Sequence, residues 1–282
     1  VSRNMKKYEL LLVTAVIIFL LSLSVGTYAD EIRIKASAVS AENILKPIKK
    51  HFEREAGIKL QIAFTDPKLA LEDLENGAVD AVTVGFSCNN WMDSMKKEKT
   101  KIKDLASLQH VVIGKAKIAI FVHKENPVSK LSKEQLKRIF TGNITNWKDV
   151  GGKNLPVLVV WSTLTSEINS LFIKNILDGE SPRRDILEAL TIEDVKQKVA
   201  AHPEAVGIGS VAIVNDTSVY SGPHEEKCSV CDLTWMEEEI KALEVPEVVM
   251  PIMLLTKGNP SVNVQKLIDF IKGEGQKYIS QQ

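Results

Sequence analysis

The sequence predicts an α/β fold organised in two blocks, and three observations support this prediction. Short apolar strands alternate with amphipathic helices after residue 30, which is typical of a parallel sheet covered by helices. The chain has 282 residues, which is enough for two modest domains with cores of their own. Its composition, 44% hydrophobic and 26% charged, is typical of a globular protein.

The first block begins with a predicted strand at 32–36, where apolar and polar residues alternate. A helix is predicted over 41–56, because its apolar residues fall on one face, and Gly57 is expected to end it. Three further elements complete this block: a strand at 59–64, a helix at 69–75 and a strand at 81–84.

The second block follows two apolar runs, at 111–114 and 117–122, which predict two separate strands. A helix over 132–139 is expected to begin at Ser132, with Gln135 completing a capping box. The remaining predicted elements are a strand at 155–160, a helix starting near Thr165, a helix at 192–201, a strand at 206–211, a strand at 248–256 and a helix at 262–271.

Residues 1–29 have the pattern of a secretory signal peptide. Lys6 and Lys7 precede an apolar run over 10–25, and small residues at Thr27 and Ala29 predict cleavage after Ala29. The apolar run approaches the length that spans a bilayer, so an uncleaved membrane anchor is the alternative. In either case we expect an exported protein, periplasmic or extracytoplasmic.

The charge balance and the cysteine and histidine content argue against several classes of function. The 36 basic and 36 acidic residues give a formal net charge of zero, without the basic excess that is typical of nucleic-acid binders. In an oxidising compartment Cys228 and Cys231 are predicted to form a short disulfide, which leaves Cys88 over. The histidines show no metal-ligand spacing, and none can be paired by sequence with a cysteine as a catalytic base. We therefore predict no cofactor, no metal site and no enzymatic activity.

Four stretches, in order along the chain, resemble the sequence of a known protein family. The stretch at 131–152, LSKEQLKRIFTGNITNWKDVGG, resembles a family signature, and we expect its second part to form a structural corner filled by Trp147. The other three stretches are NGAVD at 76–80, AHPEAVGI at 201–208 and the closing strand and helix within 251–276. Together they cover nearly all of the chain after the signal segment, and they resemble the periplasmic phosphate-binding proteins of ABC importers.

The resemblance implies the two-lobed type II periplasmic-binding-protein fold. Each lobe is then a mixed, mainly parallel sheet flanked by helices, and crossing strands form a hinge between the lobes. It implies that lobe 1 comprises 30–116 and 214–282, with lobe 2 inserted at 117–213. Such a protein captures a small anion, phosphate or another oxyanion, by hinge closure and delivers it to an ABC permease in the inner membrane. We expect a monomer. The alternative is a periplasmic sensor or accessory protein of the same fold, with altered or lost phosphate binding.

The resemblance also places candidate ligand-binding residues at helix starts that face the cleft, where backbone N–H groups favour anions. They are Ser37, Ser40, Thr65, Asp66, Ser162, Thr165 and Ser166. The residue types leave a second interpretation open for two of them, because Ser40 and Ser166 either contact the ligand or only cap their helices.

The sequence departs from the family pattern in the pocket. Gly85 stands where the family has an Asp, Trp161 or Ser162 stands where it has an Arg, and 165–167 replaces its Ser-Gly-Thr. Two lost charged hydrogen bonds predict a roughly 100-fold weaker affinity for phosphate. Lys68 is a candidate for the missing positive charge, and Glu167 either competes with an anion or only satisfies the helix dipole.

Overall fold

The computed structural model describes residues 30–65, 67–87, 90–91, 93, 95, 107–212 and 239–279. The predicted signal peptide, Asp66, the side chain of Lys68 and the cysteines Cys88, Cys228 and Cys231 lie outside the described residues. The interpretations placed on them stay predictions.

The described residues form nine strands and six helices. The strands are β1 (Glu31–Ala36), β2 (Lys59–Phe64), β3 (Ala81–Val84), β4 (Leu108–His123), β5 (Leu158–Ser162), β6 (Ile186–Ala189), β7 (Ala205–Ser210), β8 (Ile240–Ala242) and β9 (Val249–Lys257). The helices are α1 (consecutive segments Ala38–Ser40, Ala41–Leu45 and Lys46–Ala56), α2 (Pro67–Glu75), α3 (Lys133–Phe140), α4 (Ser166–Asn175), α5 (Ile192–Ala201) and α6 (Val262–Lys272). Short 3-10 turns lie at Trp147–Val150 and Glu274–Lys277.

The strands pair into one mixed sheet in the order β2-β1-β3-β9-β4-β7-β5-β6, with β8 paired to β4. Strand β1 is parallel to β2 and β3, and strand β5 is parallel to β6 and β7. We call β1, β2, β3, β9 and the start of β4 the first half-sheet, and the end of β4 with β5, β6, β7 and β8 the second half-sheet. Two parallel groups joined by antiparallel strands confirm the predicted α/β fold.

Strand β4 connects the two half-sheets. Its residues 108–117 pair antiparallel with β9, and its residues 118–122 pair antiparallel with β7. The prediction of two separate strands at 111–114 and 117–122 was wrong, because Lys115 continues the ladder with β9. A change of register between Val112 and Gly114 interrupts the alternation of inward-facing and outward-facing residues along this strand, so the two apolar runs looked like separate strands.

Helix α1 begins earlier than predicted and contains a π-helical turn. Ser37 is its N-cap and accepts a hydrogen bond from the backbone N–H of Ser40, so the helix starts at Ala38 instead of residue 41. The π-helical segment Ala41–Leu45 follows, and such turns are frequent at functional sites. The predicted end is confirmed, since Gly57 adopts a left-handed conformation with φ 68°.

Two local predictions in the second block are confirmed and one was shifted. The capping box of α3 is present, with both the Ser132 and the Gln135 side-chain bonds. Trp147 is 1% exposed, and its Nε1–H donates to the Glu204 carbonyl at 2.8 Å. The strand predicted at 155–160 begins only at Leu158, because Pro156 pairs with the corner before it.

Helices pack against both faces of the sheet, so that each half-sheet is covered by helices. Apolar residues of α2 meet β3 and β9 in one buried cluster: Ala70, Leu71, Leu74, Val82, Val84, Met253 and Leu255. Apolar residues of α5 meet the second half-sheet in another: Phe121, Val160, Ala189, Val195, Val199 and Ala205. None of the helices in the described part of the chain combines the length and apolarity that crossing a bilayer requires.

Candidate ligand-binding cleft

The carboxyl ends of the two parallel groups are joined by hydrogen bonds, and we call the region between them the crevice. Hydrogen bonds that cross it include one from the Gly85 amide to Glu167 Oε1 at 2.5 Å and one from Asn43 Nδ2 to Ser210 Oγ at 3.2 Å. Nearer the end of α4, Lys174 Nζ donates to Asn90 Oδ1 at 3.1 Å. In open α/β sheets, ligands bind outside the carboxyl ends of the strands. The crevice is therefore the candidate site.

Buried hydroxyls line the start of α1 on the side of the first half-sheet. Ser40 is fully buried, and its Oγ lies 3.0 Å from the Ser37 carbonyl, 3.0 Å from the Thr83 carbonyl and 2.8 Å from Thr83 Oγ1. Ser37 is 3% exposed, and its Oγ lies 3.1 Å from that of Ser40. Thr65 follows β2 and stays close to β1, since its amide donates to the Ala36 carbonyl. These bonds hold the end of β3 and the start of α1 together.

The facing side consists of the loop between β5 and α4. Ser162 is fully buried and donates from Oγ to the Leu190 carbonyl at 2.8 Å. Thr165 is the N-cap residue of α4, but its side chain makes no capping bond and instead lies 3.4 Å from Asn169 Oδ1. Ser166, the first residue of α4, is half-buried. All three predicted residues on this side therefore lie at or next to the start of α4.

Trp161 does not lie in the crevice. Its side chain belongs to the main hydrophobic cluster and is 7% exposed. The ring makes edge contacts with Phe140 and Phe172, each at a centroid distance of 6.1 Å. Of the two residues at the family's Arg position, Trp161 therefore packs in the hydrophobic core.

The Glu167 carboxylate lies between the two half-sheets, which the sequence pattern did not reveal. The residue is 4% exposed and belongs to the first turn of α4, where the helix dipole favours negative charge. A Cβ on Gly85 would lie 3.3 Å from Glu167 Cδ and 2.9 Å from Met250 Sδ. A side chain at position 85 would therefore require the ends of the Met250 and Glu167 side chains to shift. One feature of the sequence could have indicated this contact: Gly85 and Glu167 both depart from the family pattern, at positions that the resemblance implies line the same cleft.

Two arginine–aspartate ion pairs have their aspartates just before β3 and β6, at the amino ends of these strands and away from the crevice. Hydrogen bonds from Arg33 lower the pKa of Asp80, which stands just before β3. A hydrogen bond from Arg183 lowers the pKa of Asp185, just before β6, to about 2. Both pairs secure the scaffold. Within the described residues no group of three or more His, Cys, Asp or Glu side chains is placed to hold a metal ion.

Comparison with known proteins identifies the family. Residues 24–272 match the family model of the PBP superfamily domain. The phosphate-binding protein PstS of Bacillus subtilis (strain 168) is 26% identical over 250 residues, which cover 87% of this chain and 76% of that protein.

Solved structures agree with the fold. A substrate-binding protein assigned to phosphate ABC transport from Clostridium perfringens, solved with bound phosphate, has a TM-score of 0.69 at 20% identity, covering 89% of this chain and 97% of that one. An ABC-type phosphate transport receptor from Vibrio cholerae has a TM-score of 0.58 at 21% identity, covering 89% and 96%. The predicted two-lobed α/β fold is confirmed, and the chain belongs to the PBP superfamily.

Proposed function

We propose that this chain is the solute-binding component of an ABC importer and that it captures a small anion, with phosphate as the first candidate, in the crevice between its lobes. One observation carries the proposal. The strand carboxyl ends and helix starts of one half-sheet lie opposite those of the other, and the hydrogen bond from the Gly85 amide to Glu167 joins the two sides. The named phosphate-binding relatives support phosphate as the ligand. The chain binds and releases the ligand without chemical change.

The hinge lies after Lys117, where the pairing partner of strand β4 changes from β9 to β7. We propose a first lobe over 30–116 and 214–282 and a second lobe over 117–213, and this change of partner supports the boundary near residue 117. The short strand β8 pairs with the end of β4, so the returning chain passes along the second half-sheet before it reaches β9. The crossing strands let the two lobes rotate relative to each other and close on a ligand.

The proposed ligand contacts are the residues that surround the crevice together with Asp66: Ser37, Ser40, Thr65, Asp66, Ser162, Thr165 and Ser166. Export on a signal peptide over 1–29, cleaved or kept as an anchor, brings the protein to the periplasm or another extracytoplasmic compartment. There it acts as a monomer, with Cys228 and Cys231 forming a disulfide, and presents its ligand to a permease in the inner membrane.

Thermal unfolding of the mature protein with phosphate, arsenate, sulfate or molybdate tests this function. A ligand at 100 times its dissociation constant stabilises the folded state by about 2.7 kcal/mol. A rise in melting temperature with phosphate or arsenate is the expected result. Absence of any shift with all four anions at millimolar concentration would contradict anion capture.

A second function is favoured by the bond between Glu167 and Gly85. A crevice closed by the protein's own carboxylate fits a periplasmic sensor or accessory protein with altered or lost phosphate binding. In that case the protein gives no anion response, and its partner recognises the closed form itself. Co-purification with a membrane sensor instead of a permease would distinguish this function.

A further inference from the structure

A buried carboxylate occupies the crevice where the proposed function places an anion. Glu167 is 4% exposed, and its Oε1 accepts the Gly85 amide hydrogen at 2.5 Å. The donor follows β3 in the first half-sheet, and the acceptor stands in the first turn of α4 in the second. Burying a charged side chain is costly unless it is hydrogen-bonded, so this contact ties the two sides together.

The two departures from the family pattern are complementary in space. Gly85 stands where the resemblance implies an Asp, so the first half-sheet lacks that carboxylate. Glu167 supplies a carboxylate from the second half-sheet instead. An Asp at position 85 would require the Met250 thioether to move and would place a second carboxylate next to Glu167, since an added Cβ lies 2.9 Å from Met250 Sδ and 3.3 Å from Glu167 Cδ. A carboxylate and a phosphate offer the same kind of oxygen acceptor to a backbone N–H.

We propose that Glu167 is an intramolecular competitor that occupies the oxyanion position and holds the crevice closed in the absence of ligand. The proposal rests on the proposed function, because a free anion must displace this carboxylate to reach the Gly85 amide. A second negative charge in the same buried crevice also repels the carboxylate. The ligand therefore binds only to the fraction of molecules in which Glu167 has withdrawn, which lowers its apparent affinity.

Removal of the carboxylate should raise the affinity for phosphate. A hydrogen bond to a charged group has a net value that corresponds to roughly 10- to 100-fold in an equilibrium constant. Glu167→Ala is therefore expected to bind inorganic phosphate about 10- to 100-fold more tightly than the unmodified protein. Glu167→Gln should show a smaller gain, because its amide oxygen still accepts from Gly85 while its charge is gone.

Isothermal titration of inorganic phosphate into the mature protein and its variants measures this change. Glu134→Ala is the matched control, since Glu134 is an exposed acid in the first turn of α3 in the same half of the molecule. Its affinity for phosphate should equal that of the unmodified protein. Glu167→Gln also serves if Glu167→Ala fails to fold.

Hydrogen exchange of the Gly85 amide provides a readout that needs no ligand. The bond to Glu167 protects this amide, so Glu167→Ala should accelerate its exchange at least about tenfold, whereas Glu134→Ala should leave it unchanged. Equal exchange in the unmodified protein and Glu167→Ala would overturn the proposed contact.

The titrations separate the inference from the proposed function. If the unmodified protein binds phosphate and Glu167→Ala binds it equally or more weakly, competition is overturned while anion capture stands; a weaker variant would make Glu167 a ligand contact. If none of the proteins binds phosphate at millimolar concentration, competition and phosphate capture are both overturned.

Discussion

Replacement of Ser40 by alanine tests whether the Ser40 hydroxyl stabilises the fold or binds the ligand. The Ser40 hydroxyl is fully buried between the start of α1 and the end of β3. Its single proton serves one carbonyl at a time, and its oxygen also pairs with Thr83 Oγ1 at 2.8 Å. Ser37 Oγ also donates to this oxygen at 3.1 Å, so the geometry gives the Ser40 hydroxyl two to three hydrogen bonds inside the protein.

The expected cost follows from these bonds. A net hydrogen bond contributes about 1 kcal/mol, and a buried partner left without one adds a penalty of similar size. Ser40→Ala should therefore destabilise the protein by about 2 kcal/mol. For a chain of this size each kcal/mol shifts the melting temperature by about 2–4 °C, which predicts a decrease of about 4–8 °C.

Urea unfolding of Ser40→Ala, Thr83→Val and the double variant measures the loss and its origin. Since the two side chains contact each other, the double variant should lose less than the sum of the single losses, by about 0.5–3 kcal/mol. Ser37→Ala is the comparison for a simple N-cap, at about 1 kcal/mol. Unchanged stability of Ser40→Ala together with lost phosphate binding would refute the structural role and assign the hydroxyl to the ligand.

Three further predictions concern the scaffold. Gly207→Ala places a Cβ 2.5 Å from Val195 Cγ1 and should cost about 1–3 kcal/mol in urea unfolding; an unchanged midpoint would refute this close packing. Arg183 holds the pKa of Asp185 at about 2, below its unfolded value, so its stabilisation is complete above about pH 5 and is lost as the pH falls towards 2. The stability difference between the unmodified protein and Asp185→Asn should therefore shrink over that range, and a difference independent of pH would contradict it. Ser132→Ala removes the capping box of α3 and should lower stability by about 1 kcal/mol, a loss that a threonine at this position largely restores.

Local patterns in the sequence predicted most of the secondary structure. The capping box at Ser132 and the left-handed Gly57 depend on residues only a few positions away, so the sequence displays them directly. Strand β4 was divided in error, because its register shift near Gly114 depends on pairing with β9 about 140 residues later. Alternation along one strand carries no information about such a partner.

The candidate site was predictable only as a set of positions. Resemblance placed Ser37, Ser40 and Ser162 near the cleft; in the structure Ser37 follows β1, Ser40 lies in the first turn of α1 and Ser162 ends β5. It could not reveal that Ser40 pairs with Thr83, 43 positions away, or that Glu167 reaches Gly85, 82 positions away. The first contact depends on the packing of α1 against β3 and the second on how the two half-sheets meet, and local spacing in the sequence predicts neither.

Small-angle X-ray scattering tests whether Glu167 holds the crevice closed until an anion displaces it. The mature protein and Glu167→Ala are each measured with and without saturating phosphate. A compact chain of this size has a radius of gyration of about 18 Å. We expect the unmodified protein to be compact already without phosphate and Glu167→Ala to be larger without phosphate. Phosphate should return this variant to the compact value. Identical radii for both proteins under both conditions would contradict a crevice that closes on an anion and is held shut by Glu167.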